Sequence, residues 1–253
     1  MRPANLARLV LLEARRGSLP WLAAAALLAS LCLAAFLSQV ALTESRALQL
    51  AIVAALLRAC AVFLAAAQVA ASVLREINDK GLELMLSLPL ARPAQYLGRL
   101  AGFVACGALL AAAFALPLLF WAPPAAVLLW GVSLAFELAL VAAATLFFAL
   151  SLGQLVAAIA ASAGLYLLAR SIASIQAIAD SPLAEPTAAH EIARWGVEAV
   201  ALVLPRLDAV TRTDWLLYGP PDLRTYLMGL AGLLIYGALL VAAGLFDFQR
   251  ASL

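Results

Sequence analysis

Apolar residues in this chain fall in long unbroken runs, and polar residues gather between them. Six runs stand out, at about 19–40, 48–74, 100–120, 125–150, 155–178 and 225–246. A helix needs roughly 20 apolar residues to cross about 30 Å of hydrocarbon. Only helices and closed barrels span lipid, because each backbone polar group needs a partner within the protein. Barrel strands alternate apolar and polar positions, whereas these runs are uniformly apolar. The pattern predicts an all-α integral membrane protein with six transmembrane helices. Residues 1–253 form one domain, with no internal repeat and no low-complexity linker.

Composition strengthens that reading. The 253 residues are 66% hydrophobic and 12% charged, with a mean hydropathy of +1.05. A soluble domain carries about 25% charged residues, so a water-soluble globule is excluded. The net charge of +2 is small and unclustered, which argues against a nucleic-acid partner. Cys32, Cys60 and Cys106 sit inside apolar runs with no paired spacing, against a disulfide framework or a zinc site. The first run is long enough to span and reads as a retained helix rather than a cleaved signal.

Arginine and lysine near the span ends set the orientation. Segment 1–18 carries Arg2, Arg8, Arg15 and Arg16; segment 75–99 carries Arg75, Lys80, Arg92 and Arg99; the tail carries Arg250. A six-span chain brings these three segments to one side, taken as cytoplasmic. The short loops opposite hold Arg46 alone. The connection 179–224 has four arginines among seven acidic residues and falls outside. Both termini are expected inside.

Two connections carry local structure. Residues 4–16 place Leu6, Ala7, Val10, Leu11 and Ala14 on one helical face and Asn5, Arg8, Arg15 and Arg16 on the other. This reads either as a helix lying on the membrane or as a basic flank that fixes orientation. Leu9 and Leu12 break the division. In 179–224, Thr187 is a cap for a helix reaching about Leu204, stopped by Pro205. It either dips into the outer interface or packs on the bundle.

The most specific stretch joins the second and third spans. It is charged from Arg75 to Lys80, turns at Gly81, and continues as a short amphipathic helix, 82–88, with Leu82, Met85 and Leu86 on one face. Glu83 and Ser87 lie off that face, and Pro89 ends the helix. A short helix with an apolar knob suits insertion into a partner's groove. The run from Glu76 through Lys80-Gly81-Leu82-Glu83-Leu84, Leu86-Ser87-Leu88-Pro89 and Arg92 to Tyr96-Leu97 and Arg99 resembles the first cytoplasmic loop of type-2 ATP-binding-cassette transporter permeases. Leucine follows the glycine here, where that family commonly has small hydroxyl residues. The outer segment Leu204 to Gly219 is similar to the branch that includes the membrane subunit for copper-enzyme maturation in nitrous oxide reduction.

The resemblance implies that 75–99 is a coupling loop seated in a separate nucleotide-binding ATPase subunit. Leu82, Met85 and Leu86 would carry displacement, and Glu76, Glu83 and Arg92 would supply polar contacts. Gly81, Ser87, Pro89 and Tyr96 complete the matching set. It also implies a dimer with a second permease copy and a bacterial inner membrane location. The chain has no G-x-x-x-x-G-K-[ST] phosphate loop. It is therefore expected to be no enzyme and to hold no cofactor, with ATP and magnesium on the partner.

Three charges fall inside predicted spans: Arg58, Glu137 and Arg170. Counted at 1.5 Å per residue, they lie about 15, 18 and 12 Å below the outer ends. Charges there cost several kcal/mol unless paired or wet. Glu137 is expected to pair with Arg58 or Arg170, leaving the other arginine facing a cavity or a second copy. The contact is either a substrate or gating site or a static pair that fixes helix packing. His190 is the only histidine and lacks a partner at metal-ligand spacing.

Three functions follow as expectations. The first is an exporting permease subunit. The second is a non-exporting subunit that transmits ATP-driven motion to an outer maturation protein through 187–219. The third, an intramembrane enzyme, would need more convergent polar residues than these three charges.

Overall fold

The computed structural model describes residues 3–40, 45–79, 91–180, 188–219 and 221–250. These residues form helices and connecting turns, with no strand among them. The helices are α1 (Pro3–Arg16), α2 (Leu19–Val40), α3 (Ser45–Asn78), α4 (Arg92–Ala115), α5 (Pro124–Leu152), α6 (Leu155–Ala179), α7 (Ala188–Val203) and α8 (Leu223–Arg250). Six of them, α2 to α6 and α8, are long and apolar enough to cross a membrane.

Local chemistry explains the boundaries. Pro93 opens α4 and Pro124 opens α5, where a missing N–H costs nothing. At the far end of α5, Gly153 adopts φ 63° and its N–H donates to the Ala149 carbonyl. That left-handed residue lets the chain reverse into α6 within three residues. Both α3 and α4 continue past their apolar runs, to Asn78 and from Arg92. Charge marks where a chain leaves lipid, but it does not break a helix.

Burial ranks the helices. In α5, 61% of the most apolar window is buried, against 11% in α2 and 17% in α8. α5 is therefore the axis, with Trp130, Leu134 and Leu138 fully enclosed by Leu57 of α3 and Phe114 of α4. The peripheral helices turn Trp21, Leu28, Phe36 and Ile235 outward. An exposed apolar surface of that extent suits lipid, not water. Small residues let helices approach: Gly107 faces Leu138, and Gly131 faces Ala115.

α1 buries Leu6, Val10 and Ala14, the face its sequence marks as apolar. Its seat is α4 at Gly102, where an added methyl would come 2.7 Å from Val10 Cβ and 3.0 Å from the Ala7 backbone. Glu13 accepts a hydrogen bond from Ser72 Oγ at 2.8 Å and lies 3.6 Å from Arg75. Leu9 and Leu12, the exceptions to the sequence division, face outward.

α7 ends at Val203, one residue short of the expected stop, and its cap Thr187 lies outside the described residues. Ile192, Trp195, Leu202 and Val203 are exposed, so the apolar side of α7 does not close on the bundle. Arg194 ties it to Asp180 at 3.1 Å and also pairs within the helix with Glu198 at 3.3 Å.

Gly102→Val should push α1 off α4. Thermal unfolding of the detergent-solubilised chain is expected to show a loss of about 1–3 kcal/mol, with faster amide exchange across residues 5–16 than across α5.

Candidate functional site

The charges in the long apolar helices converge on the connection between α7 and α8. After Pro205 the chain makes a tight turn at Leu207–Ala209 and then enters a single helical turn, Asp214–Leu217. Leu207, Val210 and Trp215 bury against Leu140 of α5, Ala169 of α6 and Tyr226 of α8. This packing draws irregular backbone into the bundle, and its carbonyls then need donors. The donors are arginines. Arg170 Nη1 donates to the Leu207 carbonyl at 2.5 Å and the Val210 carbonyl at 2.9 Å, and its Nη2 donates to the Thr211 carbonyl at 3.1 Å. Arg58 Nη1, from α3, donates to the same Thr211 carbonyl at 2.9 Å.

Thr211 is fully buried with φ 51°. A β-branched residue resists that conformation, at a cost of order 1–3 kcal/mol. The turn it makes aims one carbonyl at two guanidinium groups. Behind them, Glu137 of α5 is fully buried, accepts a hydrogen bond from Tyr166 Oη at 2.8 Å, and lies 3.8 Å from Arg170 Nη1. Asp208 adds a second carboxylate to the surroundings of Arg170. Glu137 and Asp208 thus offset part of the positive charge on Arg170, which is how buried charge is tolerated.

Arg170 is the arginine beside Glu137. Arg58 donates instead to the Thr211 carbonyl. The sequence reading missed two members. Tyr166 was visible, because it lies four residues before Arg170 on the same helical face. Thr211 was not, because a backbone carbonyl has no sequence signature. Tyr166 also lines an apolar cleft of about 160 Å³ between α3, α5 and α6, with Phe63 and Ile159. Among the described residues no group of three His, Cys, Asp or Glu side chains could hold a metal ion.

The second candidate site is at the opposite end of α3. Gly81, Leu82, Glu83, Met85, Leu86, Ser87 and Pro89 lie outside the described residues. Their anchors are described. Glu76 at the end of α3 pairs with Arg99 of α4 at 2.5 Å, with Arg99 buried. Arg92 is exposed, and its Nη1 donates to the Gln249 carbonyl of α8 at 3.2 Å. Tyr96 is buried against Phe248, ring centroids 6.0 Å apart. A methyl at Gly244 would overlap its hydroxyl. Ser151 Oγ of α5 donates to Asp247 at 2.7 Å. Of the expected coupling residues, Tyr96 and Glu76 therefore face neighbouring helices, and Arg92 faces outward.

Removing a guanidinium should release the outer turn. Arg170→Leu removes the arginine beside Glu137 and strands the Leu207 and Val210 carbonyls, for an expected loss of about 3–5 kcal/mol. Arg58→Leu removes one of two donors to Thr211, for about 1–2 kcal/mol. Thermal unfolding gives the ranking, and trypsin cleavage at the exposed Arg206 and Arg212 should accelerate in the same order.

Compared with models of known protein families and with curated proteins, the sequence matches none.

Proposed function

We propose that this chain is the membrane-spanning permease subunit of an ATP-driven transporter of the type-2 ATP-binding-cassette class. In this reading it lies in a bacterial inner membrane with both termini cytoplasmic, and pairs with a second permease copy. The observation that carries the proposal is the sequence run from Glu76 to Arg99, with its charged start, Lys80-Gly81 pair, Leu/Glu-rich stretch and Ser87-Leu88-Pro89. Hydrolysis belongs to a partner subunit, whose groove receives Leu82, Met85 and Leu86.

The anchors around that loop support the reading physically. The Glu76–Arg99 pair joins α3 to α4 immediately beside the loop. Tyr96 and Arg92 join α4 to α8. A displacement applied at 80–90 would load three helices, not one. α3 also carries Arg58, so the same helix reaches the cluster around Thr211. Coupling of this kind requires α3 to have two positions relative to α6, because a rigid body with a single arrangement transmits nothing.

A second reading has its own support. The outer turn is held by arginines from two spans, and α7 beside it exposes Ile192, Trp195, Leu202 and Val203. That surface suits a chain that acts mechanically on an extracytoplasmic maturation protein. Loss of ATP-dependent activity of such a protein on Trp195→Asp, with hydrolysis intact, would favour the mechanical reading.

The coupling loop has a direct test. The chain is purified with its candidate ATPase subunit, and Met85 and Leu86 are replaced by Asp. Placing two charges in an apolar groove should reduce complex formation at least tenfold and abolish stimulated hydrolysis. Unchanged assembly and unchanged stimulation would refute the assignment.

A further inference from the structure

α1, α2 and α4 together enclose a cleft of about 430 Å³. Its walls are apolar and include Leu12, Leu19, Ala23 and Leu109. Two cations line it as well, Arg8 and Arg15. They are seven residues apart, nearly two turns, so they share a face and stand about 10 Å apart along the axis. Both are exposed, and among the described residues neither makes an ion pair or a hydrogen bond.

The rest of α1 makes this distribution informative. Its one acidic residue, Glu13, is engaged by Ser72 and Arg75. Negative charge is thus taken to the bundle side, and unneutralised positive charge remains at the cleft. An apolar trough with a paired cationic edge is complementary to one chemistry: a hydrocarbon chain ending in a phosphate. Arginine's planar fork can bind phosphate through two parallel hydrogen bonds.

We propose that this cleft binds an anionic phospholipid, with an acyl chain along α2 and α4 and its phosphate between Arg8 and Arg15. The lipid would fasten α1 to the first span at a place where the protein itself makes little contact. The proposal is independent of any ATPase partner, so it stands or falls apart from the permease reading.

The test uses the full chain in neutral detergent, titrated with phosphatidylglycerol, phosphatidylcholine or inorganic phosphate and read by native mass spectrometry. Phosphatidylglycerol should be retained about tenfold better than phosphatidylcholine and should resist competition by millimolar phosphate. The exposed pair Arg8→Ala/Arg15→Ala should abolish the preference without altering helical content. Arg16→Ala, adjacent in sequence but outside the cleft, should retain it. Ala23→Phe, which fills the cleft, should reduce retention of both lipids. Equal retention of the two lipids overturns the proposal, as does an Arg16 effect equal to that of the pair. Full displacement by inorganic phosphate also overturns it, because the site would then be one for a free anion.

Discussion

The fold depends on satisfying one piece of irregular backbone. Residues 207–211 lie against α5, α6 and α8 because Leu207, Val210 and Trp215 are apolar, and burying them takes three carbonyls away from water. Unsatisfied, each such group costs of order 1–3 kcal/mol. Arg58 and Arg170 supply the donors, and Glu137 makes the buried guanidinium tolerable. Each charge in the spans is thereby explained by another group: carboxylate by arginine, arginine by carbonyl, carbonyl by the packing of its neighbours. In a chain with 12% charged residues, that mutual dependence is more informative than any single member.

The same logic repeats at the other end of the bundle in more exposed form. Glu76 and Arg99, Arg92 and the Gln249 carbonyl, Ser151 and Asp247 tie α3, α4, α5 and α8 where the chain leaves its apolar runs. α3, at 34 residues, is about 50 Å long at 1.5 Å per residue, which is longer than the hydrocarbon it crosses. It contributes to both clusters, through Arg58 and Glu76, as α5 does through Glu137 and Ser151. α5 gives the fixed reference, buried on most sides, and α2 and α8 form the lipid-facing margin.

Much of this was legible in the sequence, for identifiable reasons. The six helices long and apolar enough to cross a membrane are, because unbroken apolar length is read directly from the residues. The apolar face of α1 is, through the spacing of Leu6, Val10 and Ala14. The shared depth of Glu137 and Arg170 follows from counting residues. The ends of α3 and α4 were not legible, because hydropathy reports lipid and these helices run on beyond it. Nor was the role of Arg58: its partner is a main-chain oxygen, placed by the positive φ of Thr211. The direction in which α7 faces was also undetermined, since its composition fits burial and an interface equally.

The central claim is the proposed one, that the two ends of α3 and α4 flanking residues 80–90 and the turn at 207–211 move together through α3. Amide exchange of the chain in complex with the ATPase subunit proposed for it, nucleotide-free and ATP-bound, measures both ends at once. The account predicts that ATP binding changes exchange at 75–79 and 91–99 and, in the same state, at 207–211. A change confined to 75–79 and 91–99, with 207–211 unaltered, would contradict it.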